Sequence, residues 1–178
     1  MSEITLLLEQ AQAGDQAAWE RVVALLHDDL LRLARCASTS GLPDTLDAPA
    51  LVRDCYERVA AGIGDRAVVN RSHFLALAGR AMRQILVSHA RERVAASHTG
   101  EADPASAEAL REAAELLSLD AVLDEFARED ERLVHVLDGR IFGGLSEVEI
   151  AEALRLPLRK VQHLWDRARE RLRSLQDA

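Results

Sequence analysis

Basic side chains cluster near the C-terminal end of the chain, in a pattern that could bind DNA. Residues 153–178 hold seven basic side chains against three acidic ones, although the 178-residue chain has a net charge of −8. Guanidinium and ammonium groups neutralise DNA phosphates and pair with guanine O6 and N7 in the major groove. The candidates for base contacts are Arg159, Lys160 and His163, and those for phosphate contacts are Arg155, Arg167 and Arg171.

Two helices joined by a tight turn would position these side chains. Ser146 and Glu149 have the spacing of a capping box at the start of the first helix, and Pro157 suits the start of the second. The second helix carries Val161 and Trp165 on its apolar side, where we expect them to join the core. This pattern favours a helix-turn-helix whose second helix enters the major groove. The alternative is an ordinary αα-hairpin with a solvated basic face.

Composition argues against several other classes of protein. A net charge of −8 is unlike that of a protein that coats nucleic acid, whose domain is normally basic. The six histidines are scattered, and no Ser/His/Asp or metal-ligand spacing occurs, so we expect neither an enzyme nor a bound cofactor or metal. Cys36 and Cys55 lie in helical patterns and are interpreted as buried free thiols. No signal-like or membrane-spanning stretch is found, and we expect a cytoplasmic protein.

Helical periodicity covers most of the chain, and no stretch shows the alternation of a strand. Residues 98–117 interrupt it with one Arg against five carboxylates, which is typical of a linker. This linker could be partly helical after Ala105, and it could also shield the basic helix. We predict an all-α protein with two small helical domains, 1–97 and 118–178, joined by the acidic linker 98–117. Before the helix pair, the predicted helices are 4–13, 15–36, 47–61, 72–95, 118–126 and 129–142.

Three stretches resemble the extracytoplasmic-function sigma factors, the small two-domain members of the bacterial RNA polymerase sigma family. They follow in order with the expected spacing and together cover nearly the whole chain. The resemblance implies an alternative sigma factor that binds core RNA polymerase and directs promoter recognition and transcription initiation. The stretches are 44–59, beginning Asp-Thr-Leu, 71–91, with Arg-Ser-His-Phe and Met-Arg-Gln-Ile-Leu-Val, and 138–157, with Phe-Gly-Gly-Leu-Ser.

The resemblance also implies a division of labour between the two domains. The N-terminal domain would bind the β′ clamp helices of the polymerase and open DNA at the −10 element, with Phe74 either stacking on a base or packing in the core. The C-terminal domain would read the −35 element and meet the β flap. The implied polymerase-binding residues are Val52, Arg53, Asp54, Tyr56, Glu57 and Arg58, and the implied −10 contacts are Asn70, Arg71, His73, Arg80, Arg83 and Arg91.

The charged face that includes Arg53 and Glu57 has a simpler interpretation, a solvated helix surface with ion pairs four residues apart. An anti-sigma factor or a Ser/Thr kinase is a further partner that the resemblance implies. Relatives encoded beside Ser/Thr kinases often have a Thr where this chain has Pro49, which leaves Thr45 as the nearest candidate for modification.

The chain departs from the family pattern at the turn of the helix pair. Arg155 and Pro157 stand where a Gly and a Ser cap are usual, and an Arg in a left-handed turn costs about 1 kcal/mol. A basic stretch that often follows the long helix is replaced by residues 95–101, which contain one Glu and no Arg or Lys. Two alternatives therefore stay open. One is a sigma-like module that binds polymerase and modulates initiation without efficient melting, and the other is a stand-alone helix-turn-helix regulator.

Overall fold

The computed structural model describes residues 2–38, 47–63, 67–100 and 107–177. Within these ranges it has eight α-helices and a π-helical turn, and it has no strand there. The all-α prediction is confirmed. The elements are α1 (Glu3–Gln12), α2 (Gln16–Ser38), α3 (Ala48–Ile63), α4 (Arg71–Ser97), α5 (Ala107–Glu129), α6 (Glu131–Leu137), the π turn (Asp138–Phe142), α7 (Glu147–Leu154) and α8 (Leu158–Gln176).

Side-chain caps fix where two helices of the N-terminal half begin. The Asp15 carboxylate accepts hydrogen bonds from the amides of Ala17 and Ala18, at 2.9 and 3.2 Å, at the start of α2. Asn70 caps α4, since its side chain accepts a hydrogen bond from the amide of His73 at 2.8 Å. Each cap satisfies amide groups that have no partner inside the helix.

Phe74 of α4 lies at the centre of the N-terminal core. Its side chain is fully buried, and its ring centroid lies 5.9 Å from that of Trp19 with the two planes tilted by 54°. Leu30 and Leu51 belong to the same buried cluster. Phe74 is therefore a core residue in this structure and offers no stacking surface to a base.

Helix α5 begins inside the predicted linker, where partial helix after Ala105 was expected. The separate helix predicted from 118 is continuous with it, because α5 runs unbroken from Ala107 to Glu129 and packs along α4. Residues 107–117 are rich in Ala, Leu, Glu and Arg, which favour helix even where apolar periodicity lapses. Ala113 of this stretch is buried, so part of the predicted linker is packed helix.

The predicted helix 129–142 begins two residues later than expected, and its last five residues are π-helical. Asp130 caps a new helix, α6, because its side chain accepts a hydrogen bond from the amide of Arg132. The end of that helix widens into the π turn, which packs against α4. Gly79 and Gly143 make this approach possible, since a Cβ on Gly79 would lie only 2.7 Å from the backbone nitrogen of Gly143.

The two halves share one buried cluster. It contains Leu51 and Phe74 from the N-terminal half together with Phe126, Leu137 and other apolar residues from the C-terminal half. Helix α4 is the element that joins them, since it packs against α3 on one side and against α5, the π turn and α7 on others.

Candidate nucleic-acid interface

The capping box at the start of α7 is formed as predicted. The Ser146 side chain accepts from the Glu149 amide at 3.2 Å, and the Glu149 carboxylate accepts from the Ser146 amide at 2.8 Å. The hydrogen bond from the Ser146 amide is the main cause that lowers the pKa of Glu149, and the Ser146 hydroxyl donates a second one to the carboxylate at 2.9 Å. The carboxylate also accepts a hydrogen bond from Arg71 at 3.4 Å, which links α7 to α4.

The short turn between α7 and α8 contains one residue in the left-handed backbone conformation, Arg155. Arg155 adopts φ 52° and ψ 43°, a conformation that disfavours side chains with a Cβ. Pro157 then precedes α8 and makes no side-chain cap.

The apolar side of α8 packs toward the core. Val161 is buried, whereas Trp165 is half-buried and lies beneath the guanidinium groups of Arg140 and Arg169. Trp165 packs against the buried core as expected, although one side of its ring stays accessible.

The first turns of α8 present the basic side chains predicted to reach DNA. Arg155, Arg159 and His163 are exposed, and no described residue forms an ion pair or side-chain hydrogen bond with them. Lys160 is half-buried, and its charge contributes to the lowered pKa of Asp130, which is due mainly to the side-chain hydrogen bond from Arg132. The exposed basic side chains at the start of α8 are therefore accessible to an anionic partner such as DNA.

Two further residues predicted to bind phosphates, Arg167 and Arg171, lie later in α8 and point toward the end of α5. Both form ion pairs with Glu129, that of Arg167 at 2.7 Å, and Arg171 also lies over the Phe126 ring at 5.0 Å from its centroid. Among the described residues, Glu129 is the carboxylate that pairs with these two arginines, and residues 101–106 of the segment 98–117 that could shield α8 lie outside the described residues.

The start of α4 holds the first three predicted −10 residues. Asn70 is the helix cap, and the ring nitrogen Nδ1 of His73 accepts a hydrogen bond from the amide of Val69 at 3.4 Å. Arg71 is partly exposed and bridges Asp29 at 2.7 Å and Glu149 at 3.4 Å. Asn70 and His73 thus stabilise the start of α4, and only Arg71 presents charge there.

The remaining predicted −10 residues line a groove between α4 and the α5–α6 hairpin. Arg83 is buried, with its Nε 2.6 Å from Asp138 and its Nη1 2.5 Å from Asp120. Arg91 also pairs with Asp120, at 3.2 Å, and Arg80 lies 3.3 Å from Nε2 of His135. A prediction of an exposed phosphate-binding Arg83 does not fit this conformation, because carboxylates from the C-terminal half surround its guanidinium group.

Helix α3 carries the residues predicted to bind polymerase, and the structure separates them into two groups. Arg53, Glu57 and Arg58 are exposed, and Asp54 is half-exposed. Val52 and Tyr56 face inward. Val52 is buried in the core, and the Tyr56 hydroxyl donates a hydrogen bond to the carbonyl of Val23 at 2.8 Å. These two therefore position α3, and the charged residues form the face that a partner can reach.

The charges on that face are not paired as the solvated-surface alternative predicts. Arg53 lies 3.8 Å from Asp54, and neither Asp54 with Arg58 nor Arg53 with Glu57 forms an ion pair among the described residues. Both positively and negatively charged side chains on this face are thus available to a partner.

Sequence reasoning missed the acidic residues that hold the two halves together. They are Asp120, Asp138, Glu149 and Glu152, and the last accepts a hydrogen bond from Ser72 at 2.9 Å. Of these four, only Asp138 could have been recognised as a buried, paired residue from its local sequence. It falls on the apolar side of its helix, where a charged residue is normally paired. The other partners depend on long-range packing.

In the described part of the chain, no group of His, Cys, Asp and Glu side chains could hold a metal ion. None of the described helices combines the length and apolar character needed to cross a membrane.

This arrangement is that of a helical protein in which α7 and α8 form a helix-turn-helix. A family model described as "ECF sigma factor" matches residues 1–177, and the chain belongs to this family. It is therefore an alternative sigma factor, which acts in transcription initiation with core RNA polymerase and promoter DNA. The comparison with curated proteins gives no match.

One solved structure similar to the chain is that of CnrH in complex with the cytosolic domain of CnrY. The two chains are 22% identical over 99% of this chain and 98% of CnrH, with a TM-score of 0.47.

Proposed function

We propose that this sigma factor uses three separate surfaces in initiation. The charged face of α3 binds the β′ clamp helices of core RNA polymerase, the arginines of α4 contact the −10 strands, and the start of α8 reads the −35 element. The C-terminal half also meets the β flap. We propose that the protein acts in the cytoplasm and that the polymerase alone catalyses RNA synthesis.

The observation that carries the proposal is the unpartnered basic surface at the start of α8. Arg155, Arg159 and His163 are exposed on a helix whose orientation the capping box and the left-handed turn set. In a helix-turn-helix the N-terminal residues of the second helix contact base edges. The exposure of Arg159 near the start of α8 supports a role in reading guanine, a contact that discriminates by about 1–3 kcal/mol.

Run-off transcription on genomic fragments with purified core polymerase tests this assignment. The wild-type chain is expected to give transcripts that begin at defined sites, and Arg159→Ala to reduce them and to relax the preference at one −35 position. Arg173→Ala is the matched control, because Arg173 is exposed near the far end of α8. Equal transcript levels with both variants would reject α8 as the −35 reader.

Binding to core polymerase tests the α3 surface independently. Asp54→Arg/Glu57→Arg reverses two charges on the accessible face, and it is expected to abolish binding at moderate salt. Glu9→Arg/Glu20→Arg changes the net charge equally on exposed residues of α1 and α2, so it serves as the control. A double variant that binds like this control would reject α3 as the polymerase contact.

Modulation of initiation without efficient melting is a second candidate function. The pairing of Arg83 with Asp120 and Asp138 favours it, because that arginine is unavailable to DNA in this conformation. Promoter-specific transcripts from the purified chain and core polymerase would reject it.

We also propose that an anti-sigma factor or a Ser/Thr kinase regulates the chain. Thr45, the candidate for modification, lies outside the described residues. Pull-down of partners from cell extract, with phosphorylation mapped by mass spectrometry, would distinguish the two. An anti-sigma factor should compete with core polymerase for the purified chain, and a kinase should add phosphate at Thr45.

A further inference from the structure

We propose that the C-terminal half locks the promoter-facing side of α4 in the free protein, and that this lock must open before α4 can bind melted DNA. The inference rests on the proposed role of the α4 arginines at the −10 element. It adds a conformational step, because promoter binding by α4 becomes conditional on separation of the two halves.

Every arginine proposed for −10 contact has a partner in the C-terminal half. The Arg83 guanidinium is held by Asp120 and Asp138, and its side chain is only 10% exposed, so a phosphate cannot reach it. Arg91 stays more exposed but shares Asp120. The contacts are Arg71 with Glu149, Arg80 with His135, Arg83 with Asp120 and Asp138, and Arg91 with Asp120.

The backbone packing between the halves indicates a specific interface. A Cβ on Gly79 of α4 would lie 2.7 and 2.8 Å from the nitrogen and Cα of Gly143, and backbone atoms cannot move aside as a flexible side chain can. A Cβ on Gly144 would lie 2.9 Å from Cδ2 of Leu33 in α2. Ser72 adds a hydrogen bond to Glu152 at 2.9 Å. The halves therefore meet in one register.

The same interface is suited to reversible opening. Burial raises the pKa of Asp138 even though Arg83 lies close by, so the loss of hydration outweighs the attraction for this carboxylate. Such a buried pair gives little net stability relative to the hydrated groups, and its value lies in specifying geometry. On separation Arg83 and Asp138 regain water, and Arg83 becomes available to a phosphate.

The lock covers α4 and leaves the other two proposed surfaces accessible. Arg53 on α3 has a side chain that is 71% exposed, and Arg159 on α8 is exposed as well. The closed protein can thus meet polymerase and duplex DNA, whereas binding of single strands by α4 has to await opening.

Gly79→Ala tests the lock, with Gly62→Ala as its matched control. Alanine raises helix propensity at both sites, but the added methyl meets Gly143 at the first site and open space at the second. Small-angle X-ray scattering of the full chain should give a radius of gyration of about 16 Å for a compact wild type. We expect this value for Gly62→Ala as well, and a larger one for Gly79→Ala.

Binding of a mixed-sequence single-stranded oligonucleotide, without polymerase, gives the functional readout. If the open form is rare in the wild type, Gly79→Ala should tighten binding about tenfold or more, since apparent affinity scales with the fraction of competent molecules. Binding of the duplex with the same sequence should stay unchanged, because α8 is accessible in both states. An unchanged radius of gyration, or unchanged single-strand affinity after the radius has risen, would overturn the lock.

A second variant guards against a folding defect in Gly79→Ala. Glu152→Arg removes the acceptor of Ser72 from an exposed position and sets a cation beside α4. Glu125→Arg makes the same charge change on an exposed residue of α5. We expect Glu152→Arg to bind the single strand more tightly than Glu125→Arg, and equal affinities would count against the lock.

Transcription with core polymerase separates this inference from the proposed role of α4. If Arg91→Ala weakens promoter opening with polymerase while Gly79→Ala fails to improve single-strand binding by the free chain, only the lock is rejected. If Arg91→Ala has no effect with polymerase, the −10 role of α4 fails and the lock, which presupposes it, fails too.

Discussion

The guanidinium of Arg83 in α4 makes two hydrogen bonds to the carboxylate of Asp138 in the π turn, at 2.6 and 3.2 Å, across 55 residues of sequence. Asp120 provides a further acceptor, and all three side chains are nearly excluded from solvent. This cluster is the most buried charged group in the described part of the chain, and it links the N-terminal to the C-terminal half.

We predict that Asp138→Ala lowers the free energy of unfolding by about 3–5 kcal/mol, because it leaves a buried guanidinium with one carboxylate fewer. Urea denaturation followed by circular dichroism measures the change. Asp124→Ala removes an exposed carboxylate of α5 and should stay within about 0.5 kcal/mol of the wild type. The double variant Arg83→Met/Asp138→Leu should recover part of the loss, since Asp120 is then the one charged group left in the cluster and keeps its ion pair with Arg91.

Glu149 gives a prediction about pH. Its pKa is lower in the folded protein, mainly because the Ser146 amide donates to the carboxylate, with further help from Arg71. The corresponding stabilisation is therefore present above its unfolded pKa of about 4.5 and is lost as the pH falls through the folded value. We expect Glu149→Gln to be about 0.5 kcal/mol less stable than wild type at pH 7, because glutamine keeps an acceptor for the Ser146 amide but loses the negative charge at the start of the helix.

The difference between wild type and Glu149→Gln should shrink toward zero as the pH is lowered from 5 to 3, and urea denaturation at each pH measures it. Glu125→Gln loses the same charge at an exposed position and controls for overall electrostatics. A difference that persists undiminished at low pH would show that ionised Glu149 is not the source of the stabilisation.

Arg155 combines a backbone strain with a proposed DNA contact, and substitution can separate the two. We predict that Arg155→Gly stabilises the chain by about 1 kcal/mol, because glycine adopts the φ of 52° without a Cβ clash. It should at the same time weaken duplex DNA binding through the lost charge. Arg155→Ala removes the same charge and keeps the strain, so its DNA binding should match that of Arg155→Gly without the gain in stability.

Thermal unfolding and fluorescence anisotropy with a duplex measure the two effects. If Arg155→Gly and Arg155→Ala have equal stability, the left-handed turn stores no strain at this residue. If both bind DNA like the wild type, Arg155 makes no phosphate contact.

The local features of this fold could be read from the sequence, because the interacting groups lie within one or two helical turns. The Ser146–Glu149 capping box and the left-handed Arg155 are examples, since each depends on residues a few positions apart. The basic start of α8 was predicted for the same reason: amphipathic periodicity separates Val161 from Arg159 and His163.

The contacts between the α4 arginines and the C-terminal half could not be predicted, because they join distant parts of the chain. Arg83 has the spacing of an exposed basic residue on α4, and only the approach of α5 and the π turn makes it buried. Tyr56 was assigned to a partner surface for a similar reason, whereas its hydroxyl donates to Val23 of the preceding helix. Residue type and periodicity do not identify which helix supplies the acceptor.

Cys55 reports on whether the N-terminal core stays folded when the halves separate. Burial raises the pKa of its thiol to about 12, and Sγ lies 3.5 Å from the carbonyl oxygen of Ala78 in α4. At pH 8 only about one thiol in ten thousand is then ionised, so in a Cys36→Ser background we expect almost no reaction with a thiol reagent until the protein unfolds.

Gly79→Ala should keep this protection, because Cys55 is buried between α3 and α4 within the N-terminal half. Rapid labelling of Cys55 in Gly79→Ala would show that the variant unfolds this core, whereas protection combined with a larger radius of gyration would show that the halves separate as folded units.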